Sequence, residues 1–249
     1  MRRLLLLSAA LAVAGCGGDE TSTPPSDAPA PPGATATPPS RTTPDVPLAD
    51  ARADSDTVVV LFYGDSLTAG YGLERPEEDA YPALVGAQIR EVGVPVEVVN
   101  AGVSGETTAG GLGRIDWALR QTTPDVFVLA LGANDGLRGV DPDVTRENLS
   151  AILERVREAA PGARLVVAGM EALPNMGDDY TEQFRGVFPA VAEAYDAQFI
   201  PFLLEDVAGI RSLNQSDGVH PTPAGQRIIA QTVGEVVVPL ARAEYEEAG

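Results

Sequence analysis

The chain has 249 residues, carries 36 acidic side chains against 17 basic ones for a formal net charge of −19, and is 44% hydrophobic. That apolar share suffices for one sizeable core. So negative a field argues against nucleic-acid or anionic-membrane binding, because it repels phosphate. Every basic residue is Arg, which removes Schiff-base lysines, Ser–Lys dyads and a P-loop lysine. One Cys and one His remain, too few for an internal disulfide or a Cys/His zinc site. The enzyme chemistry left open rests on carboxylates, hydroxyls or a single imidazole.

Residues 1–15 read as an export signal, with Arg2 and Arg3 ahead of the apolar run Leu4 to Val13 and the small pair Ala14-Gly15. The run falls short of the roughly 20 residues a helix needs to span a bilayer. The unique Cys16 stands directly behind Val13-Ala14-Gly15, which resembles the lipobox of a bacterial lipoprotein. In that reading the signal is cut before Cys16, the thiol is lipidated, and the exported protein is held at the cell envelope by its anchor alone. An ordinary secretory signal cut near Ala14 is the alternative. Residues 16–56 are rich in Pro, Thr, Ser, Ala and Asp, and Pro24-Pro25, Pro31-Pro32 and Pro38-Pro39 suit neither ladders nor helix interiors. They are expected to form a disordered tether with a reach on the order of 100 Å.

The folded domain is expected over 57–249. Val58 to Phe62 reads as a buried strand, and Val96 to Val99, Val126 to Leu131, Leu165 to Ala168 and Gln198 to Phe202 read likewise. Helical spacing occupies 80–92, 107–121, 143–160, 184–197 and 222–244 between and after them. Alternation of this kind predicts an α/β fold, a three-layer sandwich around a five-stranded parallel sheet. Ligands of such sheets bind outside the carboxyl ends of the strands. The polar, glycine-rich segments that follow the apolar runs are therefore the candidate site: 64–67, 100–107, 132–136 and 217–221.

His220 is the one imidazole available to a Ser–His mechanism, although a lone His is usually an ordinary surface or core residue. Asp217, three residues earlier in a loop bounded by Gly218 and Pro221, is spaced to reach a ring nitrogen and fix the tautomer, or else to make an Asx-turn. Ser66 follows a strand end and Gly64, a place for a nucleophile and equally for a helix cap. Its own backbone N–H would face an oxyanion in either role. No G-x-S-x-G surrounds it, which speaks against an α/β-hydrolase elbow. Asn134, between Gly132 and Gly136, can donate to an oxyanion or hold a turn. Asp65 and Asp135 read as structural, and Gly110-Gly111-Leu112-Gly113 as a close helix contact, not a dinucleotide fingerprint.

Taken in order, Gly64-Asp65-Ser66-Leu67, Gly105, Gly132-Ala133-Asn134-Asp135 and Asp217-Gly218-Val219-His220 resemble the blocks of the GDSL, or SGNH, hydrolases. Residues 100–107, 131–139 and Pro174-Asn175-Met176-Gly177 with Tyr180 are similar to the thioesterase I, arylesterase and lysophospholipase branch. The resemblance implies a flavodoxin-like fold and a serine esterase acting on acyl esters or thioesters. It also implies Ser66 as nucleophile, His220 as base and Asp217 as its orienting carboxylate. Ser66, Gly105 and Asn134 would form the oxyanion hole, with no metal and no organic cofactor. The loop Leu173 to Tyr180 is expected to border the acyl pocket, with Leu173 and Met176 against the chain. A carbohydrate O-acetylesterase and a non-catalytic envelope binding lipoprotein are the competing readings. The first wants aromatic platforms, yet aromatics are 5% of the chain. The second would be expected to have lost at least one of Ser66, Asn134, Asp217 or His220, and none is missing.

Overall fold

The computed structural model describes residues 56–249. The segments read above as a signal at 1–15, a lipidation site at Cys16 and a tether over 16–56 lie outside the described residues, Asp56 apart. Five strands form one sheet: β1 (Val58–Gly64), β2 (Val96–Gly102), β3 (Val126–Ala130), β4 (Arg164–Ala168) and β5 (Gln198–Ile200). They stand in the order β2-β1-β3-β4-β5, and every pairing is parallel. β1 and β3 are buried along their whole length, the signature of strands covered on both faces.

The helices divide into two groups. α3 (Tyr81–Glu91) packs on α8 (Pro223–Ala248), while α4 (Thr108–Gln121) packs on α6 (Pro142–Ala159) and α6 on α7 (Asp178–Ala194). Short helices α1 (Ser66–Ala69), α2 (Pro76–Asp79) and α5 (Ala133–Arg138) complete the set. One apolar cluster fills the space on both sides of the sheet, with Phe62, Tyr63, Phe127, Phe184 and Phe188 among its largest buried side chains. The architecture is the expected three-layer α/β sandwich. Among the described residues, no helix is long and apolar enough to cross a membrane.

Several boundaries differ from the sequence reading, each for a local reason. β2 runs to Gly102 because Asn100, Ala101 and Gly102 continue the register with Phe62, Tyr63 and Gly64, so three residues expected in a loop belong to the strand. β5 stops at Ile200 because Pro201 has no N–H for a ladder. α7 starts at Asp178, six residues before its expected start. Its first turn is capped by Gly177 and carries Asp178 and Asp179, while its buried face begins only at Phe184. Apolar periodicity is blind to an exposed polar first turn.

The order β2-β1-β3 places a topological switch point between β1 and β3, where crossovers leave toward opposite faces and a crevice opens at the carboxyl ends. The segments after both strands meet at that crevice.

Candidate active site

Ser66 comes from the end of β1. β1 closes on Gly64, where a Cβ would stand 2.7 Å from the Ala130 carbonyl oxygen of β3 and still closer to Thr68, so only glycine lets the chain turn there. Asp65, not Ser66, caps α1: its Oδ1 accepts from the Leu67 N–H at 3.0 Å. The serine at the first helical position is thereby left with its hydroxyl free for another partner. That partner is His220, whose Nε2 lies 2.9 Å from Ser66 Oγ across 154 residues of sequence.

On the other side of the ring, His220 Nδ1 lies 2.7 Å from Asp217 Oδ2. The second carboxylate oxygen, Oδ1, accepts from the backbone N–H groups of Val219 at 2.9 Å and His220 at 3.0 Å. Asp217 therefore makes the Asx-type turn and holds the ring at once. Hydrogen bonds from the His220 backbone and ring, and then from Val219, hold its carboxyl down at about 2. It is a carboxylate at any working pH, and its negative charge fixes the Nδ1–H tautomer, leaving Nε2 to accept the serine proton.

The loop is tied to its surroundings by Gln215, whose Nε2 donates to the Tyr71 carbonyl at 2.7 Å and the Pro221 carbonyl at 3.0 Å. The Gln215 N–H donates to the His220 carbonyl at 2.7 Å, and the Tyr71 ring lies 4.6 Å from the imidazole, centroid to centroid. Sequence reasoning missed Tyr71 and Gln215. Neither carries a chemical signature, and only the fold reveals that the segment after α1 meets the histidine loop.

Gly105 and Asn134 approach from β2 and β3. Gly105 adopts φ +78°, the left-handed conformation that favours glycine, and an added Cβ would meet no protein atom. Within the protein, the backbone conformation alone favours a glycine here. Asn134 belongs to the first turn of α5, not to a loop as the sequence suggested. Its Nδ2 donates to the Glu106 carbonyl at 3.0 Å and leans on Asp65 Oδ2 at 3.3 Å. Among the described residues, the N–H groups of Ser66 and Gly105 have no protein acceptor. Asp135, beside Asn134, is structural as expected: its carboxylate accepts from the Thr108 N–H at 2.9 Å and hydroxyl at 2.6 Å. In the glycine run, Gly111 faces Leu131, Tyr63 and Ile152 and Gly110 faces the Glu106 side chain, while Gly113 faces open space.

Asp65 is wholly buried, and that burial pushes its carboxyl up to about 6 against the opposing pull of the Leu67 and Asn134 hydrogen bonds. Because the folded value exceeds the ordinary 3.8, the group's contribution to stability is full below about pH 4 and is lost as the pH rises through 6. Asp65→Asn removes this dependence. The urea midpoint of the variant should gain on that of the parent between pH 4 and 7, whereas parallel curves would show that Asp65 does not titrate in this window.

A cavity of about 750 Å³ opens beside Ser66 and His220. Leu137, Met170, Ala172, Leu173, Phe202 and Leu204 give it an apolar wall. Leu173 lies where the sequence placed it, but Met176 does not line the cavity. Its Cε methyl stands instead near Gly139, at the end of the 3-10 turn formed by residues 174–176. Among the described residues, no group of three or more His, Cys, Asp or Glu side chains is arranged to hold a metal ion.

The arrangement is a hydroxyl, an imidazole and a permanent carboxylate in series, with backbone N–H groups beside the hydroxyl and an apolar cavity in front of it. Residues 62–228 match the GDSL-like lipase/acylhydrolase family. The chain is 39% identical over 191 residues to an arylesterase of Vibrio mimicus, covering 77% of this chain and 92% of that one. It is 36% identical over 188 residues to thioesterase 1/protease 1/lysophospholipase L1 of Escherichia coli K12, covering 76% and 86%. The crystal structure of AlinE4, an SGNH-hydrolase family esterase, superposes with a TM-score of 0.62 at 41% identity, covering 75% of this chain and 97% of that one.

Proposed function

This chain belongs to the GDSL-like lipase/acylhydrolase family, and on that premise we propose a serine esterase that cleaves carboxylic-ester or thioester bonds of acyl substrates through an acyl-enzyme on Ser66. The observation that carries the reading is the unbroken series Ser66 Oγ–His220–Asp217 at 2.9 and 2.7 Å. His220 Nε2 takes the hydroxyl proton as Oγ attacks the acyl carbonyl, and the Asp217 carboxylate stabilises the imidazolium that forms. The tetrahedral oxyanion is met by the N–H groups of Ser66 and Gly105 and by the Asn134 amide. The 3.3 Å contact of Asn134 with Asp65 is the weak one of its pair, and that N–H is the one an oxyanion recruits. The imidazolium then protonates the leaving alkoxide or thiolate, the acyl group stays on Ser66, and water repeats the sequence to release the acid.

Residues 57–249 are the catalytic domain in this reading, and the apolar wall beside Ser66 receives the acyl chain. Hydrolysis of p-nitrophenyl esters from acetyl to palmitoyl by the full chain tests it. Each methylene that enters the cavity contributes about 0.8 kcal/mol, so kcat/KM should rise up to about fourfold per CH2 until the cavity is filled. An optimum at acetyl would instead favour the O-acetylesterase reading. The signal read over 1–15, with Cys16 directly after it, supports attachment to the cell envelope through a lipid anchor. In the same assay, Cys16→Ser should move activity from the membrane to the soluble fraction, and retention in the membrane would rule that anchor out.

A further inference from the structure

The guanidinium of Arg114 reaches the ends of two strands and one loop at the same time. Arg114 projects from α4, and its Nε donates to both carboxylate oxygens of Glu106 at 2.7 and 2.8 Å. Its Nη2 donates to the Ala101 carbonyl at 2.7 Å, to the Gly64 carbonyl at 3.3 Å and to Glu106 Oε2. The guanidinium carbon stands 4.0 Å from the centroid of the Tyr63 ring, on the strand that ends at Gly64. Two of these anchors, Gly64 and Glu106, lie within two residues of a group assigned above to the oxyanion, and Glu106 also bonds to one directly. Gly64 is two residues before Ser66, Glu106 follows Gly105, and the Glu106 carbonyl accepts from Asn134.

We propose that Arg114, through Glu106, is the positioning residue that sets the mutual spacing of the Ser66, Gly105 and Asn134 donors. The inference rests on the oxyanion assignment of the preceding subsection. Arg114 itself touches no substrate. The pair is unlike a surface ion pair of negligible worth, because the side chains of Arg114 and Glu106 are only 20% and 7% exposed. Removing the cation would leave a largely buried carboxylate without its partner, and that carboxylate would drag the Gly105–Glu106 peptide toward water. The shape of the contact also selects for Arg. Only a planar fork with several fixed donors can serve two carboxylate oxygens and two carbonyls, whereas an ammonium is a point charge.

Donors misplaced by about 1 Å lower turnover by roughly 10²-fold while leaving an acyl chain free to bind. In the full chain, Arg114→Gln is expected to lower kcat by roughly 30-fold with KM changed less than about twofold. Affinity for an alkylboronic acid, which forms a tetrahedral adduct on a serine hydroxyl, should fall in parallel with kcat. Inhibition by the corresponding fatty acid, which needs only the apolar cavity, should not change. Arg114→Lys should recover little of the loss. In an Asn134→Ala background the further loss on Arg114→Gln should shrink to a few-fold, because one positioned donor is already gone. A folded Arg114→Gln with parental kcat, or losses that multiply in full in the double variant, would overturn the proposal. Should Arg114→Gln fail to fold, Glu106→Gln keeps the carbonyl that receives Asn134 and is read by the same boronate-to-fatty-acid comparison. The single variant Asn134→Ala separates the two levels: parental kcat there sinks the oxyanion assignment itself, whereas slow turnover there beside fast turnover in Arg114→Gln sinks only the role of Arg114.

Discussion

Ser66→Ala is expected to lower kcat on p-nitrophenyl esters by roughly 10⁶-fold, the scale on which a serine hydrolase depends on its nucleophile. The protein should remain folded. The Ser66 hydroxyl has one partner, His220, and the α1 cap is made by Asp65, so neither a cap nor a core contact is lost. The urea midpoint should therefore move little, and the 750 Å³ cavity should still bind a fatty acid. A fluorophosphonate probe, which phosphonylates an activated serine, should label the parent and not the variant. Turnover within tenfold of the parent would remove Ser66 from the reaction and leave the 2.9 Å contact with His220 unexplained.

How much of this could be read from the chain depends on what each feature needs. The strands were legible because β1 and β3 are buried on both faces and so appear as continuous apolar runs. His220 and Asp217 were legible as a candidate pair, since one imidazole leaves one possible base and Asp217 sits three residues from it, whereas the choice of Ser66 as nucleophile over helix cap came only with the resemblance to the GDSL hydrolases. What the sequence concealed is long-range polar geometry. The Ser66–His220 contact spans 154 residues, the Arg114 Nη2 bond to Gly64 spans 50, and the Asn134 bond to Asp65 spans 69. No local pattern encodes such pairs, because they follow from strand order and from where helices cross the crevice. Met176 illustrates the same limit: an apolar residue in the right segment stands near Gly139 and does not line the cavity.

The second large effect concerns Asp217, and its size follows from which oxygen does what. Oδ1 accepts from two backbone N–H groups, of Val219 and His220, and these donors require an oxygen opposite them. In Asp217→Asn the amide oxygen must therefore occupy the Oδ1 position, which turns the amide nitrogen toward His220 Nδ1, 2.7 Å away in the parent. Two N–H groups cannot face each other at that distance, so the imidazole shifts its proton to Nε2 and Nδ1 becomes the acceptor. Nε2 then donates toward Ser66 Oγ and has no lone pair with which to accept the serine proton. The turn survives, the ring stays in place, and the base is lost. A fall in kcat/KM of about 10⁴-fold is expected, with a parental urea midpoint, as for a wrong-tautomer histidine elsewhere. Raising the pH should restore little, because the deficit is in tautomer and charge stabilisation and not in protonation of the ring. The ¹⁵N shifts of the single histidine give a direct readout, with the ring proton on Nδ1 in the parent and on Nε2 in the variant. An Asn variant that keeps its proton on Nδ1, or that retains parental turnover, would show that Asp217 holds only the loop and that the base needs no carboxylate behind it.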